Sequence, residues 1–311
     1  MALAGKDKTV IIIVGPTATG KTNVAIELAR HFKTEIISAD SRQCFKELNI
    51  GVARPSEKEL QMVKHHFIAS HSIHENVNAG SFEQYALQKL NDLFRTHDVV
   101  VIVGGTGLYI KAFCEGMDKV PDVPVEVRNA IISAYEKNGL VWLQQQAQQK
   151  DPEFYKSGEI QNPQRLMRAL EVVETTGRSI LEFRQGKKEK RDFNIIKIGL
   201  ELPKEELHRN INARVDKMIE AGLVDEIKSL SPYKHLNALQ TVGYSEIFDY
   251  LDKKALSAGS QVSLAQAIEL IKKNTRQYAK RQMTWFKKAK EIKWFAPHEV
   301  EKMKGYLNDT L

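Results

Sequence analysis

Cysteine is nearly absent: Cys44 and Cys114 are the only two in 311 residues. Two thiols so far apart build neither a disulfide scaffold nor a zinc cluster. Long apolar runs are missing as well, and nothing approaches the roughly 20 residues that cross a bilayer. Met1 to Lys8 holds no apolar core of a secretory leader. A cytoplasmic protein without membrane contact is the expectation. Internal repeats and low-complexity stretches are also lacking. Acid is in short supply, 39 Asp and Glu against 46 Lys and Arg, for a formal net charge of +7. The shortage is local. From Lys272 to Lys293 nine basic residues stand against Glu291 alone. A helix face that is merely solvated mixes both signs. A face of one sign, interleaved with Tyr278, Trp285 and Phe286, suits a phosphate backbone.

What is present begins with Val10-Ile11-Ile12-Ile13-Val14, a β-branched run that reads as a buried strand. Gly15, Pro16, Thr17, Ala18, Thr19, Gly20, Lys21 and Thr22 follow and fit G-x-x-x-x-G-K-[ST]. A helical pattern with Val24, Ile26, Leu28 and Ala29 comes next. Strand, glycine loop and helix is the context in which backbone N–H groups cradle phosphates at a helix N-terminus. Lys21 adds a point charge, and Thr22 adds a hydroxyl suited to Mg2+.

Further strands are expected at Glu35 to Ser41, at His65 to Ile68, over Asp98 to Val103 and over Phe193 to Leu202. In an open parallel sheet the C-terminal strand ends share one rim, where ligands bind. Asp40 therefore belongs beside the phosphate loop. ATP-hydrolysing motors carry an acid at the end of a neighbouring strand to hold magnesium. Here Asp98 is at the wrong end, and Gly104-Gly105-Thr106-Gly107 stands in the acid's place. The site reads as one that holds phosphates while something other than water attacks. His65, His66, His71 and His74 match no metal-ligand spacing and read as ordinary loop histidines.

Helices are predicted over Ala79 to Arg95, Leu207 to Ser229 and Ser263 to Lys290. Between Pro121 and Phe193 only helical patterns occur, at Val125 to Lys137, Leu140 to Gln149 and Pro163 to Thr176. The fold class expected is α/β: a P-loop NTPase-like core with a central parallel sheet flanked by helices, over 1–120 and 194–311. A small all-helical insertion domain is expected over 121–193.

Four segments together resemble the tRNA dimethylallyltransferases, the IPP transferase family. They are the Gly15–Thr22 loop, Asp40-Ser41-Arg42-Gln43, Gly104-Gly105-Thr106-Gly107-Leu108-Tyr109, and Tyr278 to Phe286. Asn162 to Val172 and Arg214 to Met218 also look like that family. The resemblance implies transfer of a dimethylallyl group from dimethylallyl diphosphate to the exocyclic amine of the adenosine 3′ of a tRNA anticodon. The loop would then hold a diphosphate with Mg2+ on Thr22. Asp40 would act as general base, its alternatives being a magnesium ligand or a helix cap. Thr17 and Arg214 would assist at the reacting end. For tRNA the resemblance implicates Asp40, Ser41, Arg42, Gln43 and Thr106 around an extruded base. It implicates Arg128, Gln164, Arg165, Leu166, Met167 and Arg168 from the insertion, and Lys280, Arg281, Gln282 and Trp285 from the basic helix. Tyr109 and Trp285 read equally as core aromatics. Arg42, Asn162 and Ser245 depart from the family's usual residues. A monomer is expected. Two other readings stay open on the residues alone, a nucleotide-kinase-like phosphotransferase and a non-catalytic RNA-binding module.

Overall fold

The computed structural model describes residues 8–158, 160–186, 188–253 and 261–311. The chain divides into two compact units, Met1–Cys114 with Lys190–Leu311, and Glu115–Glu189.

The first unit is built on six parallel strands: β1 (Thr9–Val14), β2 (Ile36–Ser38), β3 (His65–His66), β4 (Val99–Gly104), β5 (Asn194–Leu200) and β6 (Lys293–Phe295). Their order is β3-β2-β4-β1-β5-β6. β1 lies at the centre, and Val10 to Val14 are all 0% exposed. That explains its unbroken apolar run, because a strand covered on both faces has no polar side. Val10, Ile12 and Val14 enter the core on one face, with Ile37, Ile102 and Phe82. Ile11 and Ile13 enter the other, with Leu28, Val101 and Met303. Truncating any of these to alanine costs about 2–5 kcal/mol.

The helices of this unit are α1 (Lys21–His31), α2 (Glu57–Met62), α3 (Ala79–Leu93) and α4 (Gly107–Glu115), then α9 (Lys204–Glu220), α10 (Leu223–Ser229), α11 (Tyr244–Leu251), α12 (Leu264–Phe286) and α13 (Val300–Thr310). The single helix predicted over Leu207 to Ser229 is two, because Gly222 takes φ 96° and ends the run. The basic helix stops at Phe286 rather than Lys290. Within this unit, some elements had no sequence prediction. Among them are α4, which begins inside the second glycine motif, the edge strand β6, and α13.

The second unit is helical among its described residues: α5 (Val125–Lys150), α6 (Pro152–Ser157), α7 (Pro163–Thr176) and α8 (Ile180–Phe183). Gly139 breaks α5 at φ 74°, ψ −170°, which separates the two helical segments read from the sequence. Its core gathers Leu143, Phe154, Leu166, Leu170 and Val172. The two ends meet where the Glu189 N–H donates to the Glu115 carbonyl at 2.8 Å.

Candidate active site

Register places the site. Val14 pairs with Gly104 across β1 and β4, and Val103 pairs with Ser38 across β4 and β2. Three strands therefore end level, and three loops leave from one rim. These are the phosphate loop, the Asp40 segment and the second glycine loop. The rim also explains its glycines. A Cβ on Gly15 would stand 2.6 Å from the Leu200 carbonyl, and one on Gly104 would stand 2.2 Å from the Ala39 carbonyl.

Within the phosphate loop, Gly20 takes φ 82° at the N-cap of α1, and Ala18 takes φ 65°. The Thr19 hydroxyl and the Lys21 ammonium both donate to the Pro16 carbonyl, at 2.9 and 2.6 Å. Arg214, on α9, donates to the Thr17 hydroxyl at 3.1 Å. Lys21 is pulled down to about 7, first by burial, then by the Arg214 charge, with Asp40 opposing. Burial also lowers Arg214, and Asp40 again opposes. Two cations crowded at one loop favour an anion between them.

Asp40 shares that space. A cavity of about 340 Å³ is lined by Lys21, Thr22, Asp40, Gly105, Arg214 and Tyr278. A larger one of about 690 Å³ is lined by Leu202, Lys217, Met218 and His298. Ala18, Gly20, Ala53, Arg54 and Arg214 line both, so the two cavities adjoin at the loop. Asp40 Oδ1 accepts the N–H groups of Arg42 at 2.9 Å and Gln43 at 3.2 Å. That turn fixes the carboxylate's direction. Thr106 Oγ1 accepts the Ser41 N–H at 3.1 Å, so the second glycine loop steadies the Asp40 segment. Arg42 is largely enclosed, and burial lowers its guanidinium while Tyr109 and Asp40 hold it up.

The basic helix has two faces. Tyr278 and Gln282, one turn apart, face the rim, while Lys280, Arg281 and Trp285 are exposed. Gln282 lines the cavity from within the protein. It is buried, and its amide is spent inside the protein, accepting from the Thr17 N–H and donating to the Gly105 carbonyl, each at 2.9 Å. Trp285 covers Gly107, where a Cβ would stand 2.3 Å from the indole, yet it keeps 40% exposure. Tyr109 is a core aromatic, stacked on Phe82 at 4.7 Å. Tyr278 and Arg54 line the cavity without having been named as candidate site residues. The phase of Tyr278 with Gln282 was the available signal for the first.

In the second unit Gln164, Arg165 and Arg128 are exposed, and Arg168 is partly so. Arg128 and Arg168 both approach the buried Glu171, at 3.7 and 3.1 Å. Leu166 and Met167 are 0% and 6% exposed and pack in that unit's core. Asn162 has a local role. Its side chain accepts the Gln164 and Arg165 N–H groups and caps α7, as an aspartate would.

No group of three or more His, Cys, Asp or Glu residues suited to a metal occurs among the described residues. Thr22 supplies a hydroxyl oxygen to the cavity. Mg2+ is commonly held by few protein oxygens, with phosphate oxygens and water completing its shell, and the Thr22 hydroxyl is suited to such a site.

A level rim carrying a glycine loop, two converging cations and a carboxylate defines a P-loop-like α/β protein. A family model described as IPP transferase matches residues 43–289. A tRNA dimethylallyltransferase of Christiangramia forsetii is 50% identical over 292 residues, 94% of each chain. One from Cytophaga hutchinsonii is 46% identical over 305 residues, 98% of each chain. The crystal structure of the tRNA isopentenylpyrophosphate transferase from Bacillus halodurans superposes with TM-score 0.69 at 30% identity, covering 98% of this chain and 96% of that one. The chain belongs to the IPP transferase family. The phosphate loop and Asp40 precede the matched range, but both full-length relatives extend across nearly all of the chain. No helix among the described residues is long and apolar enough to cross a membrane.

Proposed function

We propose that this protein is a cytoplasmic, monomeric tRNA dimethylallyltransferase. It moves the dimethylallyl group of dimethylallyl diphosphate onto the exocyclic N6 amine of the adenosine 3′ of the anticodon. The bond from the allylic carbon to the diphosphate oxygen breaks, and the bond from that carbon to N6 forms. Diphosphate leaves with the electron pair, and the N6 proton goes to Asp40. The observation that carries this reading is Asp40 in one cavity with Lys21, Thr22 and Arg214.

Adenine's amine is a poor nucleophile because its lone pair is delocalised, so proton removal as the bond forms lowers the barrier. A carboxylate held by two backbone N–H donors is aimed before substrate arrives. At the other end, the loop N–H groups, Lys21 and Arg214 stabilise charge gathering on the leaving diphosphate. Thr17, bonded to Arg214, sits between these two ends. Thr22 would hold Mg2+, which when bound neutralises diphosphate charge. Ser41, Arg42, Gln43 and Thr106 surround the flipped base. Lys280, Arg281 and Trp285 offer charge and stacking to the RNA, as do Arg128, Gln164, Arg165 and Arg168 on the second unit. That β4 ends in glycine rather than an acid favours this reading over an ATP-dependent phosphotransferase.

Mass spectrometry of an unmodified tRNA incubated with protein, Mg2+ and dimethylallyl diphosphate tests the reading. Wild type adds one dimethylallyl group. Asp40→Asn loses most turnover while tRNA and diphosphate affinities hold. Wild-type turnover in that variant removes Asp40 from the base role.

A further inference from the structure

Asp40 is aimed by a chain of contacts that starts far from it. Its Oδ1 takes the N–H groups of Arg42 and Gln43, so its direction follows the path of residues 41–43. Gln43 is in turn tethered, its amide donating to the carbonyls of Val52 at 3.2 Å and Ala53 at 3.0 Å. Residues 49–54 form irregular turns outside any helix or strand. Ala53 sits at φ 47°, in the left-handed region that a Cβ disfavours. Strain of that kind persists only where surrounding contacts over-determine it.

Those contacts come from α10 and α11. Glu226 accepts the Ile50 N–H at 2.7 Å on one carboxylate oxygen and the Gly51 N–H at 3.1 Å on the other. The Tyr244 hydroxyl donates to that second oxygen at 2.6 Å. Tyr244 is fully buried. Its ring lies so close to Gly51 that a Cβ there would stand 2.5 Å away. Arg54 adds a brace, its Nη2 donating to the carbonyls of Phe45, Lys46 and Leu48.

We infer that Glu226, locked by Tyr244, is a positioning residue for the reaction: it holds residues 49–53 so that Gln43 keeps the Asp40 carboxylate aimed at the substrate amine. The inference rests on the proposed role of Asp40. A carboxylate is required because three donors converge on two oxygens, and an amide would turn its own N–H groups toward one of them.

The test is a double-mutant cycle in single-turnover prenylation, with Glu226→Gln and Asp40→Asn. Glu226→Gln alone is expected to slow the chemical step at least tenfold, with KM for tRNA within threefold of wild type. In the Asp40→Asn background the same substitution should change the rate less than twofold, because the aimed group is already gone. Equal losses in both backgrounds would make Glu226 a general stability residue and overturn the inference, as would a wild-type rate in the single variant. Tyr244→Phe keeps the ring against Gly51 and removes only the hydroxyl. It runs through the same cycle if Glu226→Gln does not fold, with the same outcomes deciding. Absence of product from the wild type would instead refute the proposed function and is read separately.

Discussion

The backbone N–H of Thr17 donates to Oε1 of Gln282 at 2.9 Å, joining the phosphate loop to a helix 265 positions further along the chain. The other end of the same amide donates to the Gly105 carbonyl. One buried side chain therefore holds two of the three rim loops together. Gln282→Leu strands a buried donor and a buried acceptor. Each stranded group costs about 1–3 kcal/mol. The variant should unfold at lower denaturant, and inorganic diphosphate should bind it about tenfold more weakly, a loss of about 1.4 kcal/mol. Unchanged binding by titration calorimetry would mean that the loop keeps its shape without the amide.

How much of this was legible beforehand depended on the range of each signal. β1, its glycine loop and α1 are contiguous, so an apolar run and glycine spacing suffice. Asp40 was placed on the rim because strand ends in a parallel sheet share one side, and the Ser38–Val103 pairing agrees. Gln282 enters through the resemblance, and only its helical phase with Tyr278 tells that it turns inward to the rim. Leu166 and Met167 lie between Arg165 and Arg168 in sequence, yet α7 turns them into its core. β6 is three residues long, too short for any period to show. Glu226 meets Ile50 across 176 positions, and no local pattern encodes such a contact.

Arg214 donates to the Thr17 hydroxyl and lines both cavities. A planar fork can hold Thr17 and a diphosphate oxygen together, which the single ammonium of lysine cannot do in the same geometry. Removing one preorganised donor of this kind costs about 10²–10³ in rate. Arg214→Lys should therefore lower kcat/KM for dimethylallyl diphosphate by about 100-fold, leaving tRNA affinity unchanged in a filter-binding assay. A drop of less than threefold would take Arg214 out of leaving-group stabilisation.

Lys280 and Arg281 are exposed on the outer side of α12. If they neutralise RNA phosphates, each alanine substitution should flatten the plot of log affinity against log salt by about 0.7–0.9. Turnover at saturating tRNA should stay near wild type, because neither residue lines either cavity. Identical salt slopes in variant and wild type would move the RNA path off this helix.

Lys21 makes the site pH-dependent in a direction that can be worked out. Its pKa falls from 10.5 in the unfolded chain to about 7 in the folded one. Between those values the unfolded chain holds a proton that the folded chain lacks, so stability rises with pH across that window. Below about 7 both states are charged, and the cost of burying the ammonium is present in full. A bound diphosphate reverses the preference, because an adjacent anion favours the charged amine. Binding above neutrality must then take up a proton at Lys21, and affinity must weaken as pH rises. Calorimetry at about pH 8.5, in buffers of different ionisation enthalpy, measures that uptake. Wild type should take up nearly one proton more than Lys21→Met, whose side chain cannot titrate. Equal uptake would mean that Lys21 is already charged before the anion arrives, and that Arg214 and burial do not set its state.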